Sequence, residues 1–188
     1  MIQIKAINTK GKTETNRMKL LWSFFNGGRL TDYMVEQLGH MGFFKSPAST
    51  KYHGNYEGGL FDHSINVYRC LEELRESSLA EPFPCMDSTF MIGLLHDLTK
   101  AGRYVFSHDG TGYEYAPARL DFGGHGADSL IKAQRLVQLD EEEAYCIRYH
   151  MGPYVKEDIE LYDRAIHKYP NVFWTHTADM MASQLMED

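Results

Sequence analysis

Phe90-Met91-Ile92-Gly93-Leu94-Leu95-His96-Asp97-Leu98-Thr99-Lys100 runs through six residues without a polar side chain and then sets a histidine beside an aspartate. Pro82 and Pro84 break the chain upstream, and Asp87 or Ser88 is placed to cap a helix that starts there, so the apolar run predicts a buried helix. His96-Asp97 then falls at the mouth of that helix, with Lys100 one turn later. Burying a carboxylate in an apolar wall is costly, and a divalent cation shared with the histidine would offset the cost. Taken alone, the pair reads more simply as a cap or a bridge between helices.

Outward from this run the helical period recurs. Leu60, Ile65, Val67, Leu71 and Leu74 mark a helix to about Arg75, preceded by the Gly-, Ser-, Pro- and aromatic-rich stretch 42–59, which reads as a long ordered loop. Towards the N-terminus, Arg17 to Asn26 has an apolar face and Gly27-Gly28 as a stop, and Thr31 is placed to cap a helix to about Leu38. Residues 1–16 are polar and are expected as a loosely held arm, leaving 17–188 as a single helical domain. On the C-terminal side, Tyr104-Val105-Phe106 and Tyr113-Glu114-Tyr115 flank an Asp109-Gly110 turn, which predicts a small hairpin. Three or four helices come after it, one opened by the capping-box spacing of Asp140 and Glu143 and the last spanning about Asn171 to Leu185. The expected fold class is all-α, a compact multi-helix bundle with one small β-hairpin insertion.

His96-Asp97 does not stand alone. His63 lies on the preceding helix, His125 follows Gly123-Gly124, His150 ends the stretch Cys146-Ile147-Arg148-Tyr149, and Asp179 lies in the final helix. Histidines on several helices together with two aspartates are how bundles assemble metal sites from inward-pointing side chains.

These residues resemble, in order, the His…His-Asp…Asp signature of the HD superfamily of metal-dependent phosphohydrolases. Tyr52-His53-Gly54-Asn55-Tyr56-Glu57-Gly58-Gly59-Leu60-Phe61-Asp62-His63-Ser64 is similar to that family's H-x-x-Y-x-G-G-L-x-x-H-S/T text, and Leu94 to Lys100 to its L-L-H-D-[IL]-G-K. Gly124-His125 and His150-Met151-Gly152 match the extra histidines of the subgroup that includes the 3′–5′ exonuclease-like branch. Thr99 departs from the usual Gly or Cys, and the Gly-Tyr-Pro signature of the cyclic-dinucleotide branch is missing.

The resemblance implies metal ligation by His63, His96, Asp97 and Asp179, with Asp97 bridging to a second metal on His125 and His150. Imidazole and carboxylate donors suit one or two divalent transition-metal ions, Mn, Fe, Co, Ni or Zn, better than calcium. It implies a catalytic role for Asp97 and Lys100, the latter neutralising a phosphate oxygen, with His53 and Arg103 as further candidates for substrate binding. His40, His108, His167 and His176 lack motif support and are read as structural or solvated, His176 with some claim to support a ligand. The expected activity is hydrolysis of a phosphate ester or anhydride of a small phosphorylated substrate, a nucleotide. The alternatives are a phosphodiesterase or 3′–5′ exonuclease on cyclic nucleotides or single-strand ends, and a non-catalytic nucleotide- or protein-binding HD domain.

Composition bounds the partners. Nineteen Lys and Arg against 26 Asp and Glu give a net charge of −7, without the basic stripe of a protein that tracks long duplex DNA. The apolar runs are too short for a membrane span and the N-terminus lacks a leader pattern, so a cytoplasmic protein is expected. Cys70, Cys85 and Cys146 are odd in number and never spaced as C-x-x-C, which indicates reduced thiols. No heptad or exposed stripe compels a homodimer, and that state is left open.

Overall fold

The computed structural model describes residues 4–25, 28–116, 122–154 and 158–186. Eight α-helices lie among them: α1 (Glu14–Phe24), α2 (Asp32–His40), α3 (Gly59–Glu76), α4 (Ser88–Leu95), α5 (His125–Gln134), α6 (Glu141–Tyr149), α7 (Ile159–Lys168) and α8 (Asn171–Leu185). Short 3₁₀ turns cover Leu98–Lys100 and Gly152–Tyr154, and strands β1 (Tyr104–Phe106) and β2 (Tyr113–Tyr115) form one antiparallel hairpin with Val105 opposite Glu114. The fold is mostly helical, as the periodicity predicts. None of the described helices is long and apolar enough to cross a membrane.

The eighteen-residue α3 is the axis of the bundle, packing chiefly on α4 and α8. Its first half joins Leu60, Phe61 and Ile65 to a core of α1, α2 and α4 side chains that includes Leu21, Met34, Leu38, Phe90 and Leu94. Its second half joins Val67, Cys70, Leu71 and Leu74 to Cys146, Tyr149, Val172 and Ala178 of α6 and α8. The α3–α4 crossing is tight because residue 93 is glycine: a Cβ there would lie 2.6 Å from the Tyr68 backbone. Every residue of α4 is buried, which explains an apolar run with no solvent face.

The first helix begins at Glu14 rather than at Arg17, on a capping box in which Thr13 and Asn16 satisfy each other's backbone N–H groups. The segment expected as a loose arm is also tied down within its described part. The Ile7 amide donates to Asn66 Oδ1 at 2.8 Å, and the amide and hydroxyl of Thr9 donate to Asp62 at 2.6 and 2.7 Å. Polar residues here mark hydrogen bonding to α3, not freedom from it.

Candidate metal centre

Four of the expected ligand positions sit at helix ends or just beyond them, where the chain can turn a side chain inward. His96 and His150 follow α4 and α6 as C-caps, His125 opens α5, and Asp97 precedes the 3₁₀ turn that carries Lys100. His63 and Asp179 project from within α3 and α8. His63, His96 and His150 are fully buried, Asp97 is 2% exposed, Asp179 17% and His125 30%, so the cluster meets solvent chiefly on the His125 side.

His96 Nδ1 lies 2.9 Å from the Gly93 carbonyl and His150 Nδ1 lies 2.8 Å from the Ile147 carbonyl. A carbonyl can only accept, so each Nδ1 carries the proton and each Nε2 presents a lone pair to the cluster. Burial pushes His96 down to about 4 and lowers His150 in the same direction, which keeps both imidazoles neutral at pH 7. His63 Nε2 lies 3.0 Å from Asp179 Oδ1 and 3.3 Å from His96 Nε2, and His96 Nε2 lies 4.0 Å from the same Asp179 oxygen. Each separation is below twice a metal–ligand bond of about 2.1 Å, so one transition-metal ion fits among these three atoms.

Asp97 faces two sets of donors with its two oxygens. Oδ2 lies 3.9 Å from His63 Nε2 and 3.8 Å from His96 Nε2, while Oδ1 lies 3.7 Å from His150 Nε2 and 4.0 Å from His125 Nδ1. Among the described residues, Asp97 Oδ1, His150 Nε2 and His125 Nδ1 are all buried without a hydrogen-bond partner. Buried polar atoms are normally satisfied, and an Asp97 oxygen left unpaired beside two imidazole nitrogens is what a cation would resolve, although among the described residues only His63, His96 and Asp179 bring their donor atoms close enough together to form a metal-sized group. Charge agrees: among the described residues, two carboxylates against the Lys100 ammonium leave a buried excess of negative charge. For Asp97 burial alone would raise the pKa, but Lys100 and the neighbouring imidazoles hold it well below the usual carboxylate range. Asp179 is held low in the same sense, chiefly by its bond to His63.

The remaining candidates divide. His53 packs its ring 4.9 Å from that of His63, at the cluster. Lys100 reaches the cluster, but its ammonium pairs with Asp97 Oδ2 at 2.6 Å, and that partner raises its pKa against the opposing effect of burial. Arg103 donates to Thr99 Oγ1 at 3.0 Å and stacks on the Tyr115 ring, so it is engaged one turn away from the ligands. Thr99, the departure from the family text, also donates its amide to Ser129 Oγ at 3.0 Å, which pins the Lys100 turn to α5. Of the histidines without motif support, His40, His108 and His167 are exposed, whereas His176 lies against the end of α6.

Two supports were hidden in the sequence. Tyr56 donates its hydroxyl to Asp62 at 2.8 Å, and the fully buried Arg17 donates to the Phe44 and Glu57 carbonyls at 3.0 and 2.5 Å, fixing the loop that leads to His63. Tyr56 is a fixed position of the quoted H-x-x-Y text, which is the one signal that pointed to it, whereas Asp62 falls at an unspecified one.

No family model and no solved structure matches the chain. Over 80 residues it is 34% identical to a dihydroneopterin 2′,3′-cyclic phosphate phosphodiesterase of Methanocaldococcus jannaschii. That match takes in 41% of this chain and 32% of the archaeal protein, so the chain spans about a third of the relative's length. A mostly helical chain with a buried His63–His96–Asp179 group able to hold a metal ion is thus distantly similar to a phosphodiesterase.

Proposed function

We propose that the protein is a metal-dependent phosphohydrolase of the HD type. The observation that carries this reading is the buried Asp97, whose two oxygens face two sets of imidazole nitrogens. His63, His96, Asp97 and Asp179 would hold one divalent ion, and His125 and His150 with the other Asp97 oxygen would hold a second. Such ions supply a nucleophilic hydroxide at neutral pH and polarise the phosphoryl oxygen. The chain's own groups prepare the site for them. Burial keeps His96 and His150 neutral and therefore able to ligate, and Lys100 keeps Asp97 ionised. From the same position Lys100 brings a cation to a phosphoryl oxygen held at the cluster. His53, whose ring lies tilted 4.9 Å from that of His63, would donate a proton to the leaving oxygen. Arg103 supports the Lys100 turn through Thr99.

The substrate would be a small phosphorylated molecule, a nucleotide, reaching the cluster from the side on which His125 is partly exposed. The similarity to a cyclic phosphate phosphodiesterase favours a second reading within the same chemistry, in which the scissile bond is that of a cyclic phosphodiester. The test is a panel of nucleoside mono-, di- and triphosphates, 2′,3′-cyclic phosphates and short single strands with added manganese, for wild type and Asp97→Ala. Wild type should turn over one class, and Asp97→Ala should lose roughly 1,000-fold, the scale of several kcal/mol of transition-state stabilisation. A folded wild-type protein that takes up no transition metal and hydrolyses nothing would overturn the hydrolase reading in favour of a binding domain.

A further inference from the structure

We infer that His176 is a positioning residue that sets the geometry of the metal centre by locking the end of α6 to α8; the inference rests on the metal reading above. His176 Nδ1 lies 2.9 Å from the carbonyl oxygen of His150. A carbonyl cannot donate, so the imidazole does, and it satisfies an acceptor that the helix end leaves without an intrahelical partner. The bonded residue is itself the candidate ligand: its backbone is held by His176 while its ring is held through Nδ1 by the Ile147 carbonyl. Main chain and side chain of His150 are thereby fixed from two directions, with Nε2 left pointing at Asp97 Oδ1, 3.7 Å away.

The neighbouring backbone is shaped around the same ring. Gly152 has φ +60°, and a Cβ on it would lie 2.7 Å from three atoms of the His176 imidazole. The chain after His150 therefore turns closely under the ring, which only glycine permits. Asp179 lies three residues further along α8, one turn from His176 on the same side of the helix. Through this one side chain, the helix that presents Asp179 to His63 also fixes the helix end that presents His150 to Asp97. Supporting hydrogen bonds of this kind tune metal affinity because a ligand displaced by a fraction of an ångström loses its bond geometry.

The test is titration of the chelator-stripped full chain with cobalt(II), read by its visible absorption, for wild type, His176→Phe, His176→Asn and Asp97→Ala. Phenylalanine keeps a ring under Gly152 without the donor, and asparagine places an amide donor near the former Nδ1. His176→Phe should weaken cobalt binding about tenfold and change the absorption envelope, while its thermal unfolding without metal stays close to wild type. His176→Asn should recover binding to within a few-fold of wild type. Cobalt affinity and spectrum in His176→Phe identical to wild type would overturn the positioning role while leaving the metal reading intact. Wild type that binds cobalt no better than Asp97→Ala would overturn both.

Discussion

Replacing Gly58 with alanine probes how the loop before His63 is held. Gly58 has φ +89°, and a Cβ built on it would fall 2.0 Å from Arg17 Nε. Arg17 cannot retreat, because its guanidinium is wholly buried and donates to Thr9 Oγ1 and to the carbonyls of Phe44 and Glu57 at 2.9, 3.0 and 2.5 Å. Left-handed strain and overpacking act together, so Gly58→Ala should cost about 2–5 kcal/mol. That cost is measured as a fall in the midpoint of urea unfolding, and an unchanged midpoint would refute the account. The glycine pair was legible as part of the quoted motif, but its reason was not. Arginine side chains are ordinarily exposed, and only the tertiary fold brings Arg17 the carbonyls it serves. His176 was obscured for the same cause: its spacing from Asp179 was visible, but its partner is the backbone of a residue 26 positions away.

Between elements, the link from α1 to α2 contributes a clamp through Arg29. Its guanidinium meets Asp87 at 2.6 Å ahead of α4 and Glu143 at 2.5 Å in the first turn of α6. Asp87 is therefore the N-terminal neighbour of α4 without capping it by a side-chain hydrogen bond, since its carboxylate is spent on Arg29. Glu143 completes the expected capping box of α6 and serves Arg29 as well. Burial alone would raise both carboxyl pKa values, but the bonds from Arg29 outweigh it and hold them below their ordinary values. Groups depressed in the folded state stabilise it above their unfolded pKa values of about 4, and that contribution is lost as pH falls through the lower folded values. Arg29→Met leaves Glu143 buried and unpaired, which should cost about 3 kcal/mol at neutral pH. The deficit should shrink as the pH falls towards about 3, because wild type loses its clamp while the variant's carboxyls take up protons. Thermal unfolding of both proteins across that range checks it, and a deficit independent of pH would dismiss the clamp. The helices it joins were legible from periodicity and caps, with α8 read at its observed bounds. The start of α1 was not, because its capping box lies among polar residues that carry no apolar period.

For the whole molecule, the candidate ligands come from α3, α5, α8 and the residues that end α4 and α6, elements spread over more than a hundred positions of sequence. The residue types of the centre were legible because ligation chemistry restricts them to histidine and carboxylate. The division of donors about Asp97 was expected only through the family resemblance, because residue types and spacing alone do not say how five elements cross. A cation bound there would cross-link the bundle, and the unfolded chain has no preformed site to compete for it. Ligand at one hundred times its dissociation constant stabilises the folded state by about 2.7 kcal/mol. For a chain of this size each kcal/mol raises the melting temperature by about 2–4 °C, so saturating manganese or cobalt should raise it by roughly 5–10 °C. Chelator should reverse the shift, and His63→Ala should largely abolish it, since His63 Nε2 lies within 3.9 Å of His96, Asp97 and Asp179 donor atoms. His167→Ala, which alters an exposed imidazole on α7, should keep the full shift and so controls for loose binding of metal by surface histidines. A melting temperature indifferent to metal in wild type, or a shift that survives His63→Ala undiminished, would mean that this cluster is not where the molecule holds a cation.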